Sequence, residues 1–95
     1  MLSEVALGDM HELLGSDDRL PKGLPKDKLS VKGKGETAPR EEEFVTLPDG
    51  LVVPCGSPHQ PYTAYQGNLL YNEYIVYHVA QITSRFLLRV RFNWL

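Results

Sequence analysis

All seven prolines of this 95-residue chain lie between Pro21 and Pro61, and they confine long regular elements to the two ends of the chain. Proline fixes its own φ angle and lacks a backbone N–H, so helix interiors and central strands exclude it. The sequence therefore divides into a head (1–14), a middle of connections (15–61) and a tail (62–95). A chain of this length supports one modest core and no complete second domain.

The tail carries the strongest strand patterns. Residues 69–77 are mainly apolar on both faces, which predicts a central strand covered on both sides. Residues 85–95 alternate between an apolar face and a face with three arginines, which predicts a strand with one solvated side. The short segment 78–83 is predicted to be the hairpin connection between these two strands.

The middle is predicted to be mostly loop. Residues 44–47 and 51–53 are two short apolar runs around Pro48-Asp49-Gly50, a pattern typical of a β-hairpin. Residues 15–18 predict a turn, and 30–39, with two glycines among charges, predict a loop. In the head, apolar residues fall at helical spacing and favour a helix, although Gly8 weakens a helix interior by about 1 kcal/mol relative to alanine.

Charge and cysteine content exclude several classes of function. The net charge is −2 and the isoelectric point about 5.9, which argues against a strongly cationic nucleic-acid module. Cys55 is the only cysteine, so the chain can form neither an internal disulfide nor a multi-cysteine zinc site. The histidines are too scattered to predict a metal site: His11, His59 and His78. The longest uninterrupted aliphatic run, 51–53, is too short to span a membrane.

Glu73 is the only carboxylate among the last 45 residues, and it lies in the most apolar part of the chain. Burying an unpaired carboxylate costs free energy, so the position of this side chain in an apolar segment requires an explanation. A structural reason is a bond to a tyrosine hydroxyl or an ion pair with an arginine of the neighbouring strand. A functional reason is a carboxylate held on a rigid strand and aimed at a sugar hydroxyl or a developing positive charge.

The tail also leaves a nucleic-acid interpretation open. Its arginines form one strand face beside five tyrosines, and such faces stack single-stranded nucleic acid in some proteins. A solvated sheet face is the simpler interpretation of the same pattern. The arginines are Arg85, Arg89 and Arg91.

Several segments of the chain, in order, resemble the catalytic domain of the poly(ADP-ribose) polymerases. Residues 69–77, Leu-Leu-Tyr-Asn-Glu-Tyr-Ile-Val-Tyr, resemble the strand that carries the family's catalytic glutamate. The other matching segments are Glu-Val-Ala-Leu-Gly at 4–8, Leu-Pro-Lys-Gly at 20–23 with the glycine-containing loop 30–39, Val-Pro-Cys-Gly at 53–56, where leucine is usual in place of Cys55, and the closing strand at 86–93 after Ala80-Gln81.

This resemblance implies a fold. It implies an α+β, strand-dominated chain that forms the C-terminal part of the split β-core of an ADP-ribosyltransferase fold, with residues 1–95 as the C-terminal half of a catalytic domain. In the family the phrase at 4–8 is a strand, so a strand replaces the helix that periodicity favours in the head. The family's active-site histidine and tyrosine precede the segment that matches Met1, and none of the chain's histidines matches the former.

The resemblance also implies a function: transfer of ADP-ribose from NAD⁺, as substrate and without a metal, to protein acceptors and growing ADP-ribose chains. It implies that Glu73 is catalytic and that Leu70 and Tyr71 border the acceptor. A glutamate at this position is typical of the polymer-forming, DNA-damage-responsive branch, which implies a nuclear protein that contacts DNA only through modules absent from this chain, and no membrane. We expect the isolated chain to be inactive; the alternative is a truncated, non-catalytic interaction segment.

Overall fold

The computed structural model describes residues 1–14 and 24–93, and β-strands dominate this part of the chain. The strand-dominated fold class is confirmed. The predicted turn at 15–18, the segment 20–23 and the end of the predicted tail strand at 94–95 lie outside the described residues. The described part contains two 3₁₀ helices, Glu41–Glu43 and Val79–Gln81, and nine strands: β1 (Leu2–Val5), β2 (Met10–Leu13), β3 (Ser30–Gly33), β4 (Ala38–Pro39), β5 (Val45–Thr46), β6 (Val52–Val53), β7 (Pro58–His59), β8 (Glu73–Val76) and β9 (Ile82–Phe86).

The centre of the fold is a three-stranded sheet in the order β2-β3-β8. β3 runs parallel to β2 and antiparallel to β8, and its first two residues, Ser30 and Val31, are buried. The Ser30 hydroxyl donates a hydrogen bond to the Leu7 carbonyl oxygen at 2.7 Å, which satisfies this buried polar group. The prediction of a loop at 30–39 is therefore wrong for Ser30–Gly33, and also for Ala38–Pro39, which form β4. These four residues include a lysine and a glycine and show no alternation of apolar and polar side chains. They form a strand because β2 and β8 pair with them on both sides.

The head forms two strands instead of a helix. β1 pairs antiparallel with β9, with a register shift between Leu2 and Ser3, whereas β2 joins the central sheet. Gly8 separates them at φ 55°, a left-handed conformation that glycine adopts without steric cost. The helical periodicity is thus misleading, and the strand implied by the family resemblance is confirmed for Glu4 and Val5, whereas residues 6–8 lie outside β1.

The predicted β-hairpin is confirmed. β5 and β6 pair antiparallel, with Val45 opposite Val53. Gly50 turns the chain at φ 88°, and its N–H donates a hydrogen bond to the Leu47 carbonyl oxygen at 2.9 Å. The Asp49 carboxylate accepts a hydrogen bond from the N–H of the residue two positions later at 3.1 Å, a bond that favours turns.

The two predicted tail strands are shorter than expected and belong to different sheets. Only Glu73–Val76 and Ile82–Phe86 are strands, and residues 87–93 are not. β8 pairs with β3 and β9 with β1, so 78–83 is not a hairpin connection. In the described part of the chain β8 is an edge strand with exposed residues, not a central strand covered on both sides. The alternation of apolar and polar residues indicates which face of a strand is buried. It does not indicate which other strand will pair with it.

The Gln81 side chain connects the tail to two other segments of the chain. Its side-chain oxygen accepts a hydrogen bond from the His78 N–H at 3.1 Å and so caps the 3₁₀ helix Val79–Gln81. Its side-chain nitrogen donates to the carbonyl oxygens of Ala6 at 2.9 Å and Leu29 at 3.0 Å. One amide therefore connects the tail to the chain segments that precede β2 and β3.

Much apolar surface is exposed, and we expect the isolated chain to associate. Val31 is the only fully buried apolar residue among 1–14 and 24–93, whereas Val79 and Leu87 are 88% and 85% exposed. Exposed apolar patches and free strand edges promote aggregation. The 95-residue product should sediment as oligomers or melt without a cooperative transition. A monomer with a sharp thermal transition in calorimetry would contradict this expectation.

In the same described ranges, no helix has the length and apolar character needed to cross a bilayer.

Candidate functional site

Glu73 is the first residue of β8 and lies directly opposite Gly33 of β3. Gly33 in turn pairs with Leu13 of β2, so these three positions form one row across the central sheet. The strand pairing fixes the backbone of Glu73, but its side chain is exposed. The expectation that Glu73 is buried in an apolar environment is wrong for this chain, because β8 has no partner on its outer edge among the described residues.

The structure shows no partner for the Glu73 side chain among the described residues. Its carboxylate makes no hydrogen bond or ion pair within residues 1–14 and 24–93. Arg85, which the structural interpretation offers as a partner, lies with its Nε 3.4 Å from the Glu4 carboxylate and so connects β9 to β1. Lys32, next to Gly33, approaches Glu12 at 3.7 Å. Glu73 therefore has no structural partner in the described part of the chain.

The segment just before Glu73 is held against residues 34–37, which we call the clasp. Tyr71 forms a parallel bridge with Thr37, one residue of the clasp. Backbone N–H groups of the clasp bond the segment: Glu36 donates to the Leu69 carbonyl oxygen and Thr37 to the Leu70 carbonyl oxygen, each at 2.9 Å. The chain that leads into Glu73 is thus fixed before the strand begins.

Two side chains also form hydrogen bonds with the backbone of the clasp. The Asn72 side-chain oxygen accepts a hydrogen bond from the Gly35 N–H at 2.9 Å. The Tyr65 hydroxyl donates to the Lys34 carbonyl oxygen at 2.7 Å and accepts from the Leu69 N–H at 3.1 Å. Sequence reasoning missed both side chains. Five of the eight residues before Glu73 have hydrogen-bonding side chains, and nothing in the sequence distinguishes these two from the others.

Leu70 and Tyr71, predicted to border an acceptor, are both exposed and lie three and two residues before Glu73 in the chain. Tyr71 lines a groove of about 270 Å³ together with Thr37, Asn72 and Tyr74. Asn72 and Tyr74 flank Glu73 in the chain, but Glu73 itself does not line this groove.

A second groove, of about 390 Å³, has mixed charge. Its lining includes Lys32, Lys34, Glu42 and His59. A hydrogen bond from its own backbone N–H lowers the pKa of Glu42 below the ordinary value, and nearby Arg40 lowers this pKa further. Because this pKa is lowered in the folded state, the small stabilisation is present above the ordinary value and is lost as pH falls through the folded-state pKa.

Metal-ligating side chains do not cluster in the part of the chain that the structure describes. No group of three or more histidine, cysteine or acidic side chains with the geometry to hold a metal occurs there. The three histidines lie apart: His11 on β2, His59 on β7 and His78 at the start of a 3₁₀ helix. Cys55 is an exposed free thiol.

Comparison with known proteins gives a consistent answer across the chain. The family model of the poly(ADP-ribose) polymerase catalytic domain matches residues 1–92. The chain is 55% identical to poly [ADP-ribose] polymerase 2 of Arabidopsis thaliana and 53% identical to that of Zea mays, in each case over 99% of this chain and 14% of the relative. It is 50% identical to poly [ADP-ribose] polymerase 1 of Oryza sativa subsp. japonica over 98% of this chain and 9% of that protein. The chain thus spans only a small share of these relatives, and it belongs to the poly(ADP-ribose) polymerase catalytic-domain family.

Proposed function

We propose that this chain supplies the catalytic glutamate of an NAD⁺-consuming ADP-ribosyltransferase. The observation that carries the proposal is the Glu73 carboxylate, which is exposed and unpaired within the described residues although strand pairing and the clasp fix its backbone. A rigid backbone with a free charged side chain suits a group that must meet a ligand in one geometry. Family membership supports the class of reaction, and the position of Glu73 in the matching motif supports its proposed role.

The chemistry requires a negative charge near the reacting sugar. When the bond between nicotinamide and ribose breaks, its electron pair leaves with nicotinamide, and positive charge develops on the ribose. A fixed carboxylate stabilises this oxocarbenium-like transition state and can accept a hydrogen bond from the 2′-hydroxyl. The oxygen of the acceptor hydroxyl then forms the new bond to the ribose carbon. Glu73 acts as a general base and accepts the proton of this hydroxyl.

The substrates and cellular context follow from the same proposal. The donor is NAD⁺, and the acceptors are proteins and growing ADP-ribose chains, with Leu70 and Tyr71 on the acceptor side. The protein acts in the nucleus in the response to DNA damage and contacts DNA through modules outside this chain. The chain is the C-terminal half of the catalytic domain, and the histidine and tyrosine that complete the active site come from the other half.

The exposed apolar surface around β9 also favours a second candidate, a non-catalytic segment that binds another polypeptide. The coding sequence upstream of Met1 separates the two candidates. An open reading frame there with the histidine and tyrosine motifs supports the enzyme, whereas a genuine start codon at Met1 supports the interaction segment.

Substrate binding and activity should appear only when the chain is part of a complete catalytic domain. We expect calorimetry to detect no micromolar binding of NAD⁺ to the isolated 95 residues, because most contacts to the nicotinamide half lie elsewhere. A chimera in which these residues replace the matching segment of the Arabidopsis relative should form polymer from labelled NAD⁺. A chimera that melts cooperatively but releases no nicotinamide from NAD⁺ would contradict the proposal.

A further inference from the structure

The half-buried Tyr65 hydroxyl bridges two backbone segments that meet near Glu73. It donates a hydrogen bond to the Lys34 carbonyl oxygen at 2.7 Å and accepts one from the Leu69 N–H at 3.1 Å. A phenol hydroxyl has one donor and two acceptor positions, so both contacts can form at once. The bridge therefore connects the first residue of the clasp to the start of the segment that leads into Glu73.

The Leu69 side chain lies over Gly33, near the Cβ atom of Glu73. A Cβ atom built on Gly33 would lie 2.6 Å from the Leu69 Cδ1 atom and 3.9 Å from the Glu73 Cβ atom. The Leu69 side chain thus occupies the space above Gly33, on the side where the Glu73 Cβ atom also lies. Because Gly33 is opposite Glu73 in the sheet, a shift of Leu69 changes the packing at the base of the Glu73 side chain.

The orientation of the Tyr65 ring is itself supported. The ring of Tyr62 lies with its centroid 5.5 Å from that of Tyr65 at an interplanar angle of 43°, which is within the range of favourable aromatic pairs. The hydroxyl of Tyr62 makes no hydrogen bond within the described residues. Tyr62 therefore supports the ring, and the bridging contacts belong to Tyr65.

We propose that Tyr65 is a positioning residue for Glu73: its hydroxyl holds Leu69 and the clasp in the register that aims the catalytic carboxylate. This inference rests on the proposed catalytic role of Glu73. Tyr65 does not touch the reacting atoms, and it acts through Leu69 and Gly33. Its contribution consists of fixing the geometry of a group that works only when it is correctly placed.

The test is Tyr65→Phe in the chimeric catalytic domain. The substitution keeps the ring and removes both bridging hydrogen bonds. The kcat for nicotinamide release should fall about tenfold while the KM for NAD⁺ stays within about twofold, because misplacement of a catalytic group weakens an interaction made in the transition state. Tyr62→Phe, the matched control, should retain the parent kcat and KM.

A second control separates positioning from loss of stability. Gly50→Ala places a side chain at φ 88° in the β5–β6 turn, where nothing lies within 4 Å. It should lower the melting temperature without changing the kcat of the folded protein. If Tyr65→Phe loses activity only in proportion to its unfolded fraction, as expected for a purely structural residue, the positioning role is overturned.

A double mutant links Tyr65 to Glu73. In a Glu73→Gln background, Tyr65→Phe should cause no further fall in the residual rate of nicotinamide release, because the group that it positions is already lost. An equal fractional loss in both backgrounds would overturn the inference. If Glu73→Gln is inactive and Tyr65→Phe has the parent kcat, the positioning role alone fails. If Glu73→Gln is as active as the parent, the proposed function itself fails.

Discussion

Replacing Glu73 with Gln in the chimeric catalytic domain should abolish polymer growth and leave the melting temperature unchanged. Gln keeps the shape and hydrogen-bonding capacity of the side chain but removes the negative charge. The rate of ADP-ribose transfer should fall by about 10²- to 10⁴-fold, since the charge acts on the transition state and on acceptor activation. Binding of NAD⁺ should change much less. Polymer length on gels and a thermal melt measure both effects.

The stability result discriminates between the two roles of Glu73. An exposed, unpaired carboxylate contributes little to folding, so the free energy of unfolding should change by less than about 0.5 kcal/mol. Glu4→Gln is a matched control because Glu4 pairs with Arg85 at the surface, where such a pair contributes about 0–1 kcal/mol. Glu4→Gln should keep full polymer length. A Glu73→Gln protein that melts far lower while its folded fraction still makes long polymer would refute the catalytic assignment.

Replacing Gly35, the glycine of the clasp, with Ala should cause a large loss of stability. Gly35 is buried, and a Cβ atom there would collide with the backbone of Tyr71 and Asn72. Backbone atoms in a paired segment cannot move aside as a flexible side chain can. We expect the free energy of unfolding to fall by about 3 kcal/mol, the upper end of typical overpacking costs. Chemical denaturation of the chimera measures this loss.

Activity should fall together with stability in Gly35→Ala, because the collision displaces the residues that directly precede Glu73. Gly50→Ala is the comparison, since its added methyl group meets no atom within 4 Å and only the left-handed backbone resists it. That substitution should cost about 1–2 kcal/mol. Equal losses of stability in the two variants would show that the close approach of Gly35 to the clasped segment does not matter for folding.

Local signals in the sequence predicted those parts of the fold that depend on local chemistry. The β5–β6 hairpin follows from Pro48-Asp49-Gly50, because a proline, a side chain that bonds its own backbone and a glycine with positive φ suffice to turn the chain. The head was different: apolar spacing favoured a helix, and only the family resemblance indicated strands. Gly8 interrupts the head with a left-handed residue, and the two strands on either side find partners far away in the chain.

Pairing over long distances explains what the sequence could not predict. β3 has no apolar alternation, yet it is the central strand because β2 and β8 both pair with it. The motif around Glu73 identified the candidate residue, but not its exposure. The hydrogen bond between Tyr65 and the clasp could not be predicted, because the Tyr65 hydroxyl bonds a backbone carbonyl 31 positions earlier in the chain. Backbone acceptors are present at every residue, so no residue type indicates which one is used.

The wide separation of paired strands also has a consequence for the kinetics of folding. β1 pairs Leu2 with Phe86, and β3 pairs Gly33 with Glu73, so these contacts form only after long loops have closed. Loop closure costs entropy before any contact offsets it, which makes such topologies slow to fold. The β5–β6 hairpin is the most local strand pairing in the described chain, and hairpins form in about 1–10 μs. We therefore expect Glu73 to reach its place late, after the hairpin has formed and β3 has been recruited to the sheet.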